Sequence, residues 1–334
     1  MTDTNETRFD VLALGNAIVD VIATCDDAFL ETHGMAKGAM TLVDTDQAEV
    51  IYAAMPPGRE SSGGSAANTV AAIAELGART AFVGRVADDQ LGEVFAHDIG
   101  ALGISYKTPP ATSGAPTARC LILVTPDAQR TMNTFLGASA ELDAGDVSVD
   151  DVASAEITYV EGYLWDAPGA KAACRRAMDA AKSAGRRVAF TLSDAFCVDR
   201  YRDEFLDLLN GPVDVVFANE AELLSLYQTE DFEAALASIQ ATGKLAAVTQ
   251  SEKGAIILHG EERHKVAAVP VDEVVDTTGA GDLFAAGFLW GLTREISLVG
   301  CARAGALCAS EIISHMGARS ERDLAALIRD AGIT

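Results

Sequence analysis

The 334-residue sequence lacks several short motifs that identify common nucleotide-binding and hydrolytic sites. It has no Gly-x-x-x-x-Gly-Lys-Ser/Thr segment, which excludes a P-loop. The first predicted strand is followed by Gly15-Asn16 and not by Gly-x-Gly-x-x-Gly, which disfavours a dinucleotide-binding Rossmann site. A Gly-x-Ser-x-Gly elbow is also absent, which weakens an α/β-hydrolase interpretation. The chemistry of this chain therefore has to come from other residues.

Cysteine and histidine motifs for metal binding are missing as well. The six cysteines include no Cys-x-x-Cys pair and the five histidines no His-Glu-x-x-His spacing, so a structural zinc site is not expected. Scattered cysteines in a chain of this length predict reduced core thiols in a cytoplasmic protein. No apolar run is long enough to span a bilayer, so we predict no membrane partner.

Basic residues are scarce. Lys and Arg number 25 against 49 Asp and Glu, which gives a net charge of −24. A surface this acidic repels nucleic acid, so we predict no nucleic-acid partner. An anionic ligand would need a local site made of backbone amides and a few basic side chains. With ordinary globular composition and no obvious linker, the sequence predicts a single domain over residues 1–334.

The order of the predicted elements indicates an α/β fold. From Ile157 onward, apolar strand patterns alternate with helical ones, which predicts βαβ units and a mainly parallel sheet. Two segments, 26–44 and 104–134, instead contain short alternating runs bounded by turn residues. We predict that they form a small β lid outside the main sheet, with a strand pair inside 26–44.

The segment Asp276-Thr277-Thr278-Gly279-Ala280-Gly281-Asp282 precedes an apolar helical pattern. Its glycines allow a ligand to approach the backbone closely, and a helix N-terminus suits an anion such as phosphate. Asp282 would lie in the first helical turn, beside that anion. An acid there can take a hydroxyl proton while backbone amides hold a transferred phosphoryl group. The alternative is a helix start whose acidic residue only complements the helix dipole.

Polar residues follow several predicted strands, at the edge where open parallel sheets bind ligands. Asn16 and Asp20 follow the first strand and could hold vicinal hydroxyls. As alternatives, Asn16 suits a turn and Asp20 a solvent-facing position. Asn219 and Glu222 lie one helical turn apart and could hold Mg²⁺ through its waters, although the same pair fits a capping box.

Two motifs together resemble the ribokinase-like (PfkB) family of carbohydrate and nucleoside kinases. They are Gly63-Gly64-x-x-x-Asn68, which opens a helix rich in small residues, and Asp276–Asp282. The resemblance extends over nearly the whole chain, residues 9–317. It implies a ribokinase-like three-layer α/β/α fold with a mainly parallel sheet and a small β lid. It also implies a kinase with ATP as co-substrate and Mg²⁺ as cofactor.

The resemblance implies a role for each matching residue. Asp282 is the implied catalytic base, and the implied anion hole consists of Gly279, Ala280 and Gly281. The residues implied to hold the substrate hydroxyls are Asn16, Asp20, Gly63, Gly64 and Asn68. Those implied to lie along the nucleotide are Asn219, Thr249, Ser251, Lys253, Gly254 and Gly317. Arg130 is the implied contact to the phosphates. Asn219 and Glu222 are implied to hold Mg²⁺, and Asp276 and Thr278 a monovalent cation such as K⁺.

Local features bear on the substrate. Gly15-Asn16 and Ser65 are more similar to adenosine kinases than to ribokinases. Adenosine kinases stack the base on an aromatic residue after the strand at 157–163, where Tyr163 or Trp165 could serve unless Leu164 occupies that position. The predicted substrate is therefore adenosine or a related nucleoside, phosphorylated on its primary hydroxyl. A ribokinase- or fructokinase-like sugar kinase is the first alternative, and a non-catalytic nucleoside- or sugar-binding regulator is the second.

The sequence departs from the family pattern at Ser251, where the nucleotide loop often has a glycine. The departure argues against close backbone approach at that residue, although Lys253 and Gly254 remain. In this family a lid sheet can also pair between subunits, and the edges of a small sheet need covering. A homodimer through the lid and a monomer therefore both stay open.

Overall fold

The centre of the molecule is a sheet of strands that are buried along their length. Strand β1 (Phe9–Leu14) is buried at every position, as expected for a strand covered by helices on both faces. The computed structural model describes residues 7–127 and 129–333. Within these ranges the strands β1 to β14 span, in order, Phe9–Leu14, Ile18–Thr24, Met40–Leu42, Arg59–Gly63, Thr80–Val83, Ser105–Tyr106, Ala118–Val124, Arg130–Phe135, Ala155–Glu161, Arg187–Thr191, Val215–Asn219, Leu245–Thr249, Ala255–His259 and Glu262–Val266.

The strands form two sheets. The large sheet has the order β14-β13-β12-β11-β10-β9-β1-β5-β6, and antiparallel pairing is confined to β12–β13 and β13–β14. The small sheet has the order β3-β8-β7-β2-β4. The prediction of a mainly parallel sheet accompanied by a small second one is confirmed.

Helices cover both faces of the large sheet, so the predicted three-layer α/β/α architecture is confirmed. Helices α1 to α12 span, in order, Asp27–Thr32, Thr45–Ala54, Ser65–Glu75, Gln90–Ala101, Val149–Ala153, Pro168–Ser183, Ala195–Asn210, Glu220–Tyr227, Phe232–Ala241, Ala280–Leu292, Leu298–Ile312 and Leu324–Asp330. Apolar residues of α5 to α9 pack on one face, and those of α3, α4 and α10 to α12 on the other. In the described ranges, none of these helices is long and apolar enough to cross a membrane.

The small sheet takes β3, β7 and β8 from the two predicted segments, but its strands β2 and β4 lie outside them. Segment 26–44 contributes helix α1 and the single strand β3, not a strand pair, and β6, inside 104–134, joins the large sheet. Strand β2 follows β1 after Gly15-Asn16, and its burial alternates, which suits a sheet with one covered face. Strand β4 gives no sequence signal, because Arg59–Gly63 offers no apolar residue that could reveal a period of two.

Helices α10 and α11 pack closely at Gly287, below the start of α10. A Cβ placed on Gly287 would lie 2.6 Å from the carbonyl group of Ala304 and from the amide nitrogen of Gly305. Real Cβ atoms do not approach backbone this closely, so the two helices would have to separate. The glycine thus sets how near α10 comes to α11.

We expect Gly287→Ala to lower the free energy of unfolding by about 1–3 kcal/mol, because the added methyl overpacks the contact between α10 and α11. Urea unfolding measures the change. The matched control is Gly100→Ala in α4, where an added Cβ meets nothing within 4 Å. There, helix propensity should raise the free energy of unfolding by about 0.5–1 kcal/mol. Equal effects of the two substitutions would contradict the packing argument.

Candidate active site

Polar residues at the carboxyl ends of the large sheet line one cavity of about 1470 Å³. They come from different strand ends: Asn16 follows β1, Asp194 follows β10, Asn219 ends β11 and Thr249 ends β12. Further walls come from the small sheet, the first turn of α10, α11 and the segment that follows β14. The cavity therefore lies where an open parallel sheet binds its ligands.

Asp282 lies in the first turn of α10 and faces this cavity. Ser65 Oγ donates a hydrogen bond to its Oδ1 at 2.6 Å, and Asn68 Nδ2 donates to its Oδ2 at 3.0 Å. Burial raises the pKa of the Asp282 carboxyl, while the two hydrogen bonds oppose that rise. A partly buried carboxylate with a raised pKa is suited to accept a proton from a hydroxyl.

The turn before Asp282 provides amides at the start of a helix. Gly279 caps α10 in the left-handed conformation, with φ of 77°, and lines the cavity together with Ala280 and Gly281. The first N–H groups of a helix have no partner inside it, and they lie at the positive end of the helix dipole. The turn can therefore hold an anion next to the Asp282 carboxylate.

The start of α3 reaches the cavity because Gly64 brings two loops into contact. Gly64 has φ of 101°, and a Cβ there would collide with the carbonyl oxygen of Asn16. Both Gly64 and Asn68 line the cavity. Besides donating to Asp282, the Asn68 side chain accepts a hydrogen bond from Arg319, which fixes the orientation of its amide.

Asp20 presents a carboxylate to the cavity from strand β2. Its oxygens lie directly against Gly63, where a Cβ would collide with them. Burial raises the pKa of Asp20 to about 6, with Arg319 and Arg130 opposing and Asp282 adding to the rise. A carboxylate so placed can accept hydrogen bonds from substrate hydroxyls.

Glu161, at the end of β9, is fully buried and is a site residue that the sequence predictions miss. It accepts three hydrogen bonds, from Asn16 N at 2.7 Å, Asn16 Nδ2 at 2.9 Å and Ala66 N at 2.8 Å. These bonds hold Asn16 against the start of α3. The available signal was an acid directly after an apolar strand, the same pattern that singles out Asn16.

Arg319 is a second residue that the sequence predictions miss. Its guanidinium donates to Asn68 Oδ1 at 2.7 Å and to the carbonyl and hydroxyl oxygens of Ser62 at 2.8 and 3.0 Å. It thereby joins the loop after α11 to the end of β4 and to α3. No local pattern marks Arg319, because its partners lie some 250 residues earlier in the chain.

At the other end of the cavity, Asn219 and Glu222 form a capping box at the start of α8. Asn219 Nδ2 donates to Glu222 Oε1 at 2.6 Å, and Glu222 N donates to Asn219 Oδ1 at 2.9 Å. Both residues also line the cavity, so the capping role and a position at the site coexist. Burial raises the pKa of Glu222 to about 7.

The predicted nucleotide residues divide into two groups. Thr249, Ser251 and Gly254 line the cavity, whereas Lys253 lies 3.8 Å from Glu220 and is largely exposed, and it is not part of the cavity wall. Ser251 has φ of 49°, a conformation that glycine adopts most readily. The backbone at the departure from the family pattern thus keeps a glycine-like conformation despite its side chain.

Gly317 also lies outside the cavity wall, and its amide donates instead to Asp276 Oδ2 at 3.1 Å. Thr278 N donates to Asp276 Oδ1 at 3.0 Å. Arg130, from β8, places Nη1 2.5 Å from Asp276 Oδ2 and 3.2 Å from Thr278 Oγ1. Arg130, Asp276 and Thr278 are therefore one cluster behind the turn at 279–281.

Of the three residues considered for stacking a base, only Tyr163 lines the cavity. Leu164 and Trp165 are buried in the core between the large sheet and helices α5 to α9. The Tyr163 hydroxyl donates to the Ser193 carbonyl oxygen at 3.3 Å, which holds the ring in place.

Within the described ranges, no group of three or more His, Cys, Asp and Glu side chains is placed to hold a metal ion.

We expect Glu161→Gln to lower the free energy of unfolding by about 1–3 kcal/mol, because the new amide N–H groups face N–H donors in a buried place. The difference between the two proteins should also depend on pH. Burial raises the pKa of Glu161 from 4.5 to about 7, so the folded protein binds a proton that the unfolded chain releases. The resulting stabilisation is complete below pH 4.5 and is lost as the pH rises through about 7.

Urea unfolding between about pH 5 and pH 8 measures this dependence. The free energy of unfolding of the unsubstituted protein, minus that of Glu161→Gln, should fall as the pH rises. Glu156→Gln on the same strand is the matched control and should cost less, because that side chain is partly exposed and pairs with Arg187. A difference that stays constant or rises with pH would contradict a protonated Glu161.

Comparisons with known proteins identify the family of the chain. The family model for pfkB family carbohydrate kinases matches residues 11–324. A probable sugar kinase protein from Rhizobium etli CFN 42 has a solved structure that is 54% identical, with a TM-score of 0.91, covering 98% of this chain and 100% of that one. The structure of adenosine kinase from Sinorhizobium meliloti is also 54% identical, with a TM-score of 0.90, covering 97% and 99%.

Adenosine kinase 2 from Arabidopsis thaliana is 25% identical over 92% of this chain and 94% of its own length. The predicted ribokinase-like fold is thus confirmed, as is the prediction of a phosphotransferase. The chain belongs to the pfkB family of carbohydrate kinases and is a sugar or nucleoside kinase.

Proposed function

We propose that this kinase transfers the γ-phosphoryl group of ATP to the primary hydroxyl of adenosine or a related nucleoside. The observation that carries the proposal is the contact between the two motifs. Asp282, at the start of α10, accepts hydrogen bonds from Ser65 and Asn68, at the start of α3. A single carboxylate is thereby held between an amide-rich turn and the polar residues at the other helix start. The 54% identical adenosine kinase supports a nucleoside as the acceptor.

In the proposed reaction, Asn16, Asp20 and Asn68 bind ribosyl hydroxyls and orient the primary hydroxyl toward Asp282. Asp282 accepts the proton as the hydroxyl oxygen bonds to the γ-phosphorus and the bond from that phosphorus to the ADP oxygen breaks. The amides of residues 279–281 hold the negative charge of the phosphoryl group during transfer. Thr249, Ser251 and Gly254 line the side of the cavity on which the nucleotide would lie.

The residues at the start of α8 fit a hydrated Mg²⁺. Asn219 and Glu222 both present side chains to the cavity, and each of their oxygens has a second lone pair beyond the capping hydrogen bond. Mg²⁺ keeps much of its water shell, so contact through water is sufficient. The ion would neutralise charge on the phosphates of ATP.

Asp282→Asn should lower kcat by about 10²–10⁴-fold, because the amide cannot accept the hydroxyl proton. Its affinity for ATP should stay close to that of the unsubstituted protein, because Asn keeps the size of the side chain. Turnover is measured by ADP release and affinity by calorimetry.

The matched control is Asp10→Asn, a buried aspartate that pairs with Arg79 and Arg294 near the amino end of β1. It should cost stability but leave kcat within about threefold, because it is remote from the cavity. Unchanged turnover in Asp282→Asn would refute Asp282 as the base.

An apolar wall favours a nucleoside over a free sugar. Ile18, Ile122 and Met132 project from β2, β7 and β8 into the cavity, and Leu42, 55% exposed, lies at its mouth. Burying sugar hydroxyls against such a wall would leave them without hydrogen-bond partners. The planar, largely apolar faces of a nucleobase fit it, with Tyr163 as a further contact.

Ile122→Ser should therefore raise KM for adenosine by about 10-fold or more, with a smaller change in kcat. The matched control is Ile22→Ser, which alters the same apolar cluster at a position that does not line the cavity. An equal rise in KM for both substitutions would contradict a base bound against this wall.

ADP release over a panel of nucleosides and sugars tests the substrate itself. Turnover of ribose or fructose in preference to adenosine would favour the sugar kinase alternative, to which the 54% identical probable sugar kinase points. Silence over both panels, with ligands that still raise the melting temperature, would favour a non-catalytic binder.

Subunit pairing stays a prediction. Strands β3 and β4 form the two edges of the small sheet, and an edge of this kind can pair with a second copy of the chain. Sedimentation equilibrium distinguishes the homodimer from the monomer.

A further inference from the structure

The cluster of Arg130, Asp276 and Thr278 contains a buried ion pair directly behind the turn at 279–281. The side chains of Arg130 and Asp276 are only 8% and 6% exposed, and Arg130 Nη1 lies 2.5 Å from Asp276 Oδ2. The same nitrogen donates to Thr278 Oγ1 at 3.2 Å. Opposite charges this close and this well shielded from water interact strongly.

The Asp276 carboxylate joins three parts of the chain. Its Oδ1 accepts from Thr278 N, and its Oδ2 accepts from Gly317 N besides pairing with Arg130. Gly317 belongs to the loop that follows α11, and Arg130 to the small sheet. The Asp276 carboxylate therefore sets the position of the turn at 279–281, and Arg130 of the small sheet neutralises the charge of that carboxylate.

Asp276 and Thr278 are also the two residues that the family resemblance assigns to a monovalent cation. Their side-chain oxygens do not fit such an ion while Arg130 is present, because both already contact its guanidinium. A second cation would have to enter a buried position beside the first, where like charges repel.

We infer that Arg130 is the built-in cation of this site, and that it positions the turn at 279–281 so that the kinase works without K⁺. Arg130 is a positioning residue in this role, because it acts through Asp276 and Thr278. Its Nε and Nη2 are buried without a hydrogen-bond partner in the described part of the chain. Buried guanidinium donors are normally paired, so these nitrogens are left for an oxygen acceptor that arrives with a ligand.

The test compares K⁺ with tetramethylammonium at one ionic strength of about 0.1 M, using the melting temperature and kcat as separate readouts. For the unsubstituted protein, exchanging the two cations should leave the melting temperature unchanged and kcat within about twofold. A melting temperature raised by K⁺, or a kcat raised about tenfold or more by K⁺, would overturn the inference.

Arg130→Gln should create the dependence that the unsubstituted protein lacks. Its kcat should fall on the order of 10²-fold in tetramethylammonium, because the turn loses its positioning charge, and K⁺ should restore at least about tenfold. K⁺ should also raise its melting temperature by about 2–4 °C or more. A folded Arg130→Gln protein that responds to K⁺ in neither readout would overturn the inference.

Two further variants sharpen the comparison. Arg130→Lys keeps a positive charge and should remain insensitive to K⁺. Activation of this variant by K⁺ would overturn the inference. The lysine variant also provides the test if Arg130→Gln does not fold. The matched control is Arg119→Gln, which removes another buried arginine of the small sheet, one that pairs with Glu49 away from the turn. It should not create a K⁺ response.

Only the kcat measurements in this test depend on the proposed phosphotransferase activity; the melting temperatures do not. Absence of ADP release with every nucleoside and sugar would refute the proposed function, whereas the melting temperatures would still test Arg130. The two failures are therefore distinguishable.

Discussion

The side-chain amide of Asn68 is the connection on which the candidate site depends. It donates to Asp282, the proposed base, and accepts from Arg319, so that three distant parts of the chain meet at one residue. An amide can make both contacts at once because it has a donor and an acceptor on one rigid plane. Without the Asn68 amide, the partly buried carboxylate of Asp282 and the guanidinium of Arg319 would each lose a hydrogen-bond partner where little water can replace it.

Four buried or partly buried carboxylates in the cavity require hydrogen-bond donors around them. Asp20, Glu161, Glu222 and Asp282 all line one cavity, and burial raises the pKa of each. Backbone amides and a few arginines offset this cost by hydrogen bonding to the charged forms. The result is a protein with a strongly negative overall charge that can still present an electropositive turn to an anion.

Much of the large sheet was predictable, because its strands are continuous apolar runs separated by helices with their own periodicity. The small sheet was predictable only in part, since Arg59–Gly63 is polar and gives no strand signal, and β3 and β4 pair with segments far away in sequence. At the site, the residues found in advance belong to local motifs. Arg319 was missed because it belongs to no local motif, and Glu161 was missed although it follows an apolar run at the end of β9.

Local chemistry was therefore readable from the residues alone: a glycine turn beside an acid, a diglycine before Asn68, and a capping pair at Asn219 and Glu222. Such motifs depend on residues within a few positions of one another, where backbone geometry fixes the distance. Which side chains meet across the fold was decided by packing, since Asn68 and Asp282 are 214 residues apart and Arg319 and Asn68 are 251 apart. The same holds for Arg130 and Asp276, whose ion pair exists only because the small sheet folds against the start of α10.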